Sequence, residues 1–594
     1  MQQEIMSDRN NRIQIRNMYY LSFMTMVVSL FIGVLGSIVD GIIIGRLLGP
    51  MAMASYGLIS PVTGILMMLG SIVVSGASYM CVQYMSKGDV KGANGVFSLS
   101  IVTGMVVAVA FTAFILIFSG SLVRFLGADK GIELYDDARA YLVGLSFGFI
   151  FSIGSMVMHP YLNLEGDRKR TVAAIFVSLV VNISSDLICI YVIGSGLFGI
   201  AIATVLSQIA GFLISLFHFT RNRSLFRFSF ESICFRQLKD LLSGGTPMAV
   251  NRLCYVFKVV LLNRLVLIIA GTTALSAMSV QNNLYNFISI ASMSTAMSMM
   301  TNTGILEGEH NEGSMKILLK TGLKSGVIIN FVISFIVFIF AKALATIYTG
   351  GDEEVTKYAV TCLRFFALSL VLLVVAQTYI CFILGTGRKR LTVIYMLLHN
   401  LILPVGMAFF LGKLMGLTGF YASFIICEAV MLAIIFAVTF CLQKRIPGTF
   451  TDYMLLSDEF EISTKNQLEW SMAEDEDAMR ASEAAYEFLK ALGTDNRKSM
   501  IASLSIEEMT RNIFEHGKKG NKKLLVYERL VVTKDRDVVL RIRDNGKQFD
   551  PIRWLELYEE KDCTKNIGIR MIFKASSDFR YVNTMGMNTL IIKI

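Results

Sequence analysis

Apolar stretches of membrane-crossing length recur from Tyr19 to about Leu442, separated by short polar breaks, and beyond Asp452 the pattern shortens to amphipathic segments. A bilayer core takes about twenty apolar residues of helix, and on that measure the chain holds about twelve spans. They begin near Tyr19, Ala54, Val96, Ala138, Thr171, Leu197, Pro247, Ala274, Leu318, Lys357, Leu391 and Leu417. After them, helical periodicity at 472–492 and 497–516 precedes alternating apolar runs at 523–532, 537–542 and 588–594, a pattern of helices packed on a sheet. The predicted fold is an all-α polytopic membrane protein with two six-helix lobes, followed by a small α/β sandwich. Its parts are an N-terminal segment 1–18, a first lobe 19–220, an inter-lobe loop 221–246, a second lobe 247–442, a linker 443–458 and a soluble domain 459–594.

The breaks between spans alternate in charge. One set is basic, with Lys87 and Lys91, Arg168-Lys169-Arg170, Arg221, Arg223 and Arg227, Lys316 and Lys320, Arg388-Lys389-Arg390, then Lys444 and Arg445; the other is short or acidic, as at 133–137 and 350–354. Basic loops stay on the cytoplasmic side. An even number of spans then puts both termini, and the soluble domain, inside the cell, with the spans in the inner (plasma) membrane.

The halves also repeat. Gly166-Asp-Arg-Lys-Arg170 returns as Thr386-Gly-Arg-Lys-Arg390, and Gly196-Leu-Phe-Gly199 returns as Gly416-Leu-Thr-Gly419, so that Arg168 matches Arg388 at the same offset by which Gly196 matches Gly416. Six spans per half give the two lobes the same orientation, which places a substrate in the cleft between them.

Composition narrows the classes further. With 54% hydrophobic and 17% charged residues and a mean hydropathy of +0.59, a soluble protein of this size is excluded. The net charge of +10 lies in loops beside spans, so it reads as membrane anchoring and not as a nucleic-acid surface. Nine cysteines are scattered singly without metal-ligand spacing, which indicates neither disulfides nor zinc. The 33 methionines, dense near 293–300, read as helix packing.

Ionisable groups inside lipid cost several kcal/mol and mark function. Asp40, Asp186, Lys258 and Glu428 are the four that stand out. Asp40 lies eight residues before Leu48, Asp186 seven before Ile193, and Thr204 eight after Gly196, so all three share one depth. Asn182, one turn from Asp186, faces the same way. These oxygens suit a hard monovalent cation, and two adjacent carboxyls also suit a proton. In the second lobe Lys258 and Glu428 share a depth as well, consistent with an ion pair, with tuning or replacement of a coupling ion, or with contact to an anionic substrate group.

The run Gly36-Ser-Ile-Val-Asp40-Gly-Ile-Ile-Ile-Gly45-Arg-Leu-Leu-Gly49-Pro50-Met-Ala52 resembles the first-span signature of the multidrug and toxic compound extrusion (MATE) family. Ser86-Lys-Gly-Asp89 with Ala93, and Asn182 and Asp186 with Gly199-Ile-Ala-Ile-Ala-Thr204, resemble further parts of it, over roughly residues 15–445. The resemblance implies two bundles that export small, often cationic, organic compounds by alternating access, driven by inward Na+ or H+. It implies that Asp40, Asn182, Asp186 and Thr204 form the first-lobe cation and proton site. Members with a second-lobe sodium site use a carboxylate early in the seventh span, where this chain has Asn251 and Lys258.

In the soluble part, Glu508 and Asn512 sit at i and i+4 of a helix, a pair able to hold a water and a magnesium ion against phosphates. A strand then ends at Asp544-Asn-Gly546, and Asn566-Ile-Gly568-Ile-Arg570 opens a helix whose N-terminus favours phosphate. In this order the segments resemble the boxes of the GHKL ATPase superfamily, nearest its anti-sigma-factor serine kinases, over about 460–594. The resemblance implies Glu508 as general base, Asn512 as Mg2+ ligand, Asp544 as adenine contact, and Gly546 and Gly568 lining an ATP pocket. Gln548 and Asn566 stand where that family often has glycine. It also implies a partner of the anti-sigma or anti-anti-sigma kind. The absence of a GxxxxGK[ST] motif argues against a P-loop pump. The combined expectation is a cation-coupled exporter of small organic cations with an ATP-binding regulatory or kinase-like domain; a membrane sensor that switches a kinase, and a flippase for lipid-linked precursors, are the alternatives.

Overall fold

The computed structural model describes residues 2–86, 89–126, 133–220, 224–349, 353–456, 466–518, 524–533, 536–552, 567–584 and 587–594. Lys87, Arg221, Arg223, 350–352, Cys563 and Asn566 lie outside the described residues. The first lobe comprises α1 (Gln2–Ile43), α2 (Gly49–Ser86), α3 (Val90–Leu126), α4 (Glu133–Ser146), α5 (Phe149–Leu164), α6 (Arg168–Ile188) and α7 (Gly196–Phe219). The second comprises α8 (Leu238–Ile288), α9 (Ile290–Gly308), α10 (Glu312–Thr349), α11 (Glu353–Gly385), α12 (Lys389–Leu397) and α13 (Leu403–Gln443). The polar N-terminal segment is itself helical and continuous with the first span, since no proline or glycine interrupts residues 2–32.

Among the described residues, nine helices are long and apolar enough to cross a bilayer, or ten when the bent pair at 135–146 and 149–164 is taken as one span. Two local features account for the distance from the twelve expected. The spans expected from Leu391 and Leu417 run as a single 55-residue stretch, broken inside α13 at Gly416. The span expected from Ala274 is the end of α8 followed by α9, whose Ser, Thr and Asn content makes it too polar to pass as a lipid-facing helix. Large apolar side chains such as Ile117, Val192 and Ile268 lie on the outer surface, the inside-out pattern that a lipid solvent selects.

The internal repeat is visible in the backbone. Gly196 and Gly416, equivalent positions of the two halves, both adopt left-handed φ, 59° and 63°, at helix starts where a side chain would be strained. Basic loop positions are pinned locally: Glu165 accepts from Ser224 Oγ at 2.6 Å, from the amides of Leu225 and Phe226 at 2.8 and 3.0 Å, and from His218. One carboxylate thereby fastens the start of the inter-lobe loop to the end of α5.

The lobes meet along a seam. Gly76 of α2 faces Leu241 and Gly245 of α8, so closely that a Cβ built on Gly76 would lie 1.8 Å from the Leu241 carbonyl oxygen. Nearby, Ser325 of α10 donates to Tyr19 Oη of α1 at 3.0 Å. A single apolar core containing Ile15, Met18 and Phe97 of the first lobe and Met299, Leu306 and Leu318 of the second spans this seam.

The segment expected as a linker is ordered at its start. α14 (Phe450–Met454) carries a capping box in which Asp452 accepts from the Gly448 and Thr449 amides at 3.0 and 2.8 Å, and the backbone amides with Arg445 hold its carboxyl down at about 2. Beyond it come β1 (Gln467–Met472), α15 (Glu476–Ala491), α16 (Asn496–His516), β2 (Val526–Val532), β3 (Val538–Asp544), α17 (Ile567–Ala575), β4 (Asp578–Thr584) and β5 (Met587–Lys593). The strands form one antiparallel sheet in the order β1-β2-β3-β5-β4. Alternation decides its faces: Val526, Leu530, Leu540 and Ile542 pack on Ala485, Ile506 and Ile569 of the three helices, whereas Tyr527, Arg529, Arg541 and Arg543 point the other way.

Candidate functional site

Asp40 sits near the end of α1 and Asp186 near the end of α6, and each is followed within four residues by a π-turn, at Ile44–Leu48 and Cys189–Ile193. Such wide turns inside helices accumulate at functional positions. Asp186 is fully buried, Asn182 is buried one turn before it, and Asp40 is half-buried. The two carboxyl groups stand within hydrogen-bonding reach of each other. Both oxygens of Asp186, Oδ1 of Asp40 and Nδ2 of Asn182 are otherwise buried without a hydrogen-bond partner. Two ionised carboxylates have no hydrogen to donate, so this contact closes only through a shared proton or a bound cation. Burial without partners makes the demand for positive charge strong.

The structure brings Asp40, Asn182 and Asp186 together as the sequence predicted. Thr204 on α7 does not bond to either carboxylate; its hydroxyl donates to the Ile200 carbonyl of its own helix at 3.0 Å. Two residues missed in the sequence join the site: Tyr56 of α2 and Tyr141 of α4, in edge contact at 5.9 Å between rings, lie within electrostatic reach of both aspartates. Tyrosines are common in apolar helices, and only the packing singles these out.

In the second lobe the ion pair, one of the three readings open for Lys258 and Glu428, is not the contact that Glu428 makes. Glu428 of α13 binds His399 Nε2 at 2.9 Å, both groups buried, and His399 stands in another π-turn, Leu398–Ile402. Lys258 instead lies over the Tyr255 ring, 5.2 Å from its centre, with Glu428 within longer electrostatic range. Asn400 donates to Asn251 at 2.8 Å beside them. His399 went unnoticed because a lone histidine in an apolar run carries no depth signal of its own.

In the C-terminal part Glu508 and Asn512 lie on α16 as predicted, and the Glu508 carboxyl rests against Gly568 at the start of α17, where a Cβ would come 2.4 Å from it. Asp544 ends β3; its Oδ1 accepts from the Gly546 amide and from Asn588 Nδ2, both at 2.7 Å, and burial pushes its carboxyl up to about 6. Gly546 is required by its surroundings, because a Cβ there would stand 2.6 Å from the Gly517 carbonyl oxygen. Asn588 is a further polar contact that the sequence did not reveal. Asp544 keeps a second oxygen able to accept from an amine, whereas Gly546 and Gly568 are closed against Gly517 and Glu508, so what they show is close packing of these segments.

The MatE family's sequence pattern matches residues 25–188 and again 247–410, once in each half and together more than half of the chain. The multidrug export protein MepA of Staphylococcus aureus is 24% identical over 435 residues, covering 70% of this chain and 92% of that protein; MepA of Staphylococcus saprophyticus is also 24% identical, covering 70% and 93%. Among solved structures, a MATE protein in complex with MaL6 superposes with a TM-score of 0.67 at 22% identity, covering 72% of this chain and 96% of that one. The double match, one per lobe, agrees with an internal repeat, and Gly196 and Gly416 lie just beyond the end of each matched segment. The chain belongs to the MatE family of membrane transporters.

Proposed function

We propose that this protein exports small organic, mainly cationic, compounds across the plasma membrane of a bacterium by alternating access, in exchange for an inward-moving Na+ or H+ held between Asp40 and Asp186. The observation that carries the proposal is a fully buried Asp186 whose two oxygens lack any donor while facing a second carboxyl. One positive charge satisfies the pair; its departure leaves two unpaired acids in a low dielectric, which favours the conformation in which they reach water. Asn182 supplies a neutral oxygen for the ion, and Tyr56 and Tyr141 wall the site. The likeness to multidrug export proteins supports a small organic substrate.

The basic loops support an orientation with both termini inside the cell, which exposes residues 466–594 to cytoplasmic ATP. There Asn512 would hold Mg2+, Asp544 the adenine, and Gly546 and Gly568 the pocket walls; bound nucleotide supplies a transferable phosphoryl group, with Glu508 placed to take a proton. We assign this domain a regulatory or kinase-like role, with an anti-sigma-type protein as its partner in the kinase case.

The test is uptake of organic cations into proteoliposomes under separate Na+ and H+ gradients. Asp40→Asn and Asp186→Asn are expected to reduce gradient-driven uptake at least tenfold, the scale of one lost strong charge interaction (about 1.4 kcal/mol or more). Uptake at the parental rate in both variants refutes coupling at this site.

A further inference from the structure

The C-terminal sheet touches both lobes at once. On the second lobe, Arg543 of β3 pairs with Glu309, both nearly buried. Arg529 of β2 donates to the carbonyls of Glu309 and His310, each at 2.9 Å, where the end of α9 presents the negative pole of its dipole. Asn311 donates to Tyr527 Oη at 3.2 Å. On the first lobe, Gln14 of α1 donates to the Leu525 carbonyl at 2.9 Å. Between these attachments Met18 and Met85 of the first lobe, Ile305 of the second, and Arg543, Val582 and Met587 of the sheet close around one small gap. Val582, only 1% exposed, belongs to the apolar core that spans the two lobes, not to the core of its own sheet.

This contact is built for docking. The sheet face turned away from the domain's own helices carries Tyr527, Arg529, Arg541 and Arg543, set side by side by the register that pairs Tyr527 with Arg543 and Arg529 with Arg541. Burying that much positive charge is costly unless the cover supplies partners, and here the turn between α9 and α10 supplies the Glu309 carboxylate to Arg543 and the Glu309 and His310 carbonyls to Arg529. The attachments sit at the same end of the bundle as the seam formed by α2 and α8, so lobes that part at this end must break one attachment or the other.

We propose that residues 466–594 act as a clasp across the two lobes: docked, the sheet holds the transporter shut on its own side, and released, it lets that side open. Arg543 and Asp544 are neighbours on β3 with side chains on opposite faces, so a nucleotide drawn to Asp544 and Gly546 acts on the strand that grips Glu309. This last link rests on the nucleotide reading above. The ligand class for the control site is an adenine nucleotide, and the gated step is access to the cleft.

The experiment is hydrogen–deuterium exchange of the full-length protein in lipid nanodiscs, following peptides over 307–315 (the clasp), and over 72–80 and 241–248 (the seam). Arg543→Glu sets two carboxylates against each other and is expected to weaken docking by roughly a hundredfold or more, the scale of a broken buried pair. Exchange should then rise at the clasp and, several-fold, at the seam. The double variant Arg543→Glu/Glu309→Arg should restore both, which separates loss of the pair from misfolding. Faster exchange at the clasp with an unchanged seam makes the domain a passenger and overturns the proposal. So does an unchanged clasp in Arg529→Glu/Arg541→Glu/Arg543→Glu. For the nucleotide link, MgATP should alter clasp exchange in the parent and not in Asp544→Asn. If a fluorescent ATP analogue fails to bind at all, the nucleotide reading falls while the charge-swap result still decides the clasp; if it binds without changing the clasp, the link between them falls.

Discussion

Gly76→Ala should cripple transport through one methyl group. A Cβ at Gly76 would stand 1.8 Å from the Leu241 carbonyl oxygen, against an ordinary contact of 3.4 Å or more, so α2 and α8 must part by most of that difference or shift sideways. Both obstructing groups are backbone, because Gly245 meets Ile72 in the same reciprocal way, with 2.0 Å between a built Cβ and the Ile72 oxygen. No rotamer change relieves such a clash. Overpacking of this kind costs about 1–3 kcal/mol, which moves the balance between a closed and a parted seam by roughly 5- to 150-fold. The loss runs against helix propensity, since Gly→Ala in a helix interior is otherwise favourable by up to about 1 kcal/mol. Gly64 on the same helix provides the control: nothing lies within 4 Å of its built Cβ. Initial uptake rates in proteoliposomes, with seam exchange measured in parallel, should show Gly76→Ala at about a tenth of the parental rate or below and Gly64→Ala unchanged. Parental uptake by Gly76→Ala would refute the view that close apposition of α2 and α8 is a working state of the transporter.

Other perturbations test separate parts of the molecule. Glu528 is fully buried on the helix side of β2, receives a hydrogen bond from Thr510, and is pushed up to about 8 by burial. The native state then holds a proton that the unfolded state releases above about 4.5, so the stability of the sheet should be full below that pH and decline as pH rises toward 8. Glu528→Gln should flatten this dependence, read as exchange of the β2 amides between pH 5 and 8, and a slope equal to the parent's counts against it. Glu165→Ala orphans the Leu225 amide, while the Phe226 amide and the Ser224 hydroxyl keep each other's bonds; at about 1–3 kcal/mol for the one buried group it should lower the thermal midpoint of the purified protein by a few degrees. His399→Leu leaves Glu428 buried and unpaired, and should destabilise the second lobe more than His399→Gln, which keeps a donor; equal midpoints would dismiss the pair.

What was legible in the sequence depended on whether a signal is local. Lipid-length apolar runs fix helices because the bilayer tolerates little else, so the lobes could be placed, while counting spans failed where polar α9 hides in the interior and where Gly416 bends a stretch without ending it. Asp40, Asn182 and Asp186 were readable because charge inside lipid is expensive and helix rise converts sequence distance into depth. Depth, however, says nothing about azimuth: Thr204 shares the level but spends its hydroxyl on Ile200, and Lys258 shares a level with Glu428 yet loses it to His399. In the C-terminal part α15 and α16 and strands β2, β3 and β5 were foreseen from periodicity, but β1 and β4 were not, although Gln467–Met472 alternates throughout and 578–581 over four residues: both runs are short and polar-rich, and only their pairing with β2 and β5 singles them out as strands. The docking of Arg529 and Arg543 on the α9–α10 turn lay beyond any local pattern, for it joins the second lobe to a sheet that the chain reaches only after five further helices.

The wide turns that follow Asp40 and Asp186 give each helix one residue of slack. Sliding that slack by a single position trades main-chain partners one for one and swings the intervening side chain by about 100°, the angular step of an α-helix. A helix so equipped can rotate an acid from one compartment toward another without unwinding in the hydrocarbon, where an unmatched amide is hardest to tolerate. In the coupling proposed above, cation release then amounts to screw motion within each of two intact rods.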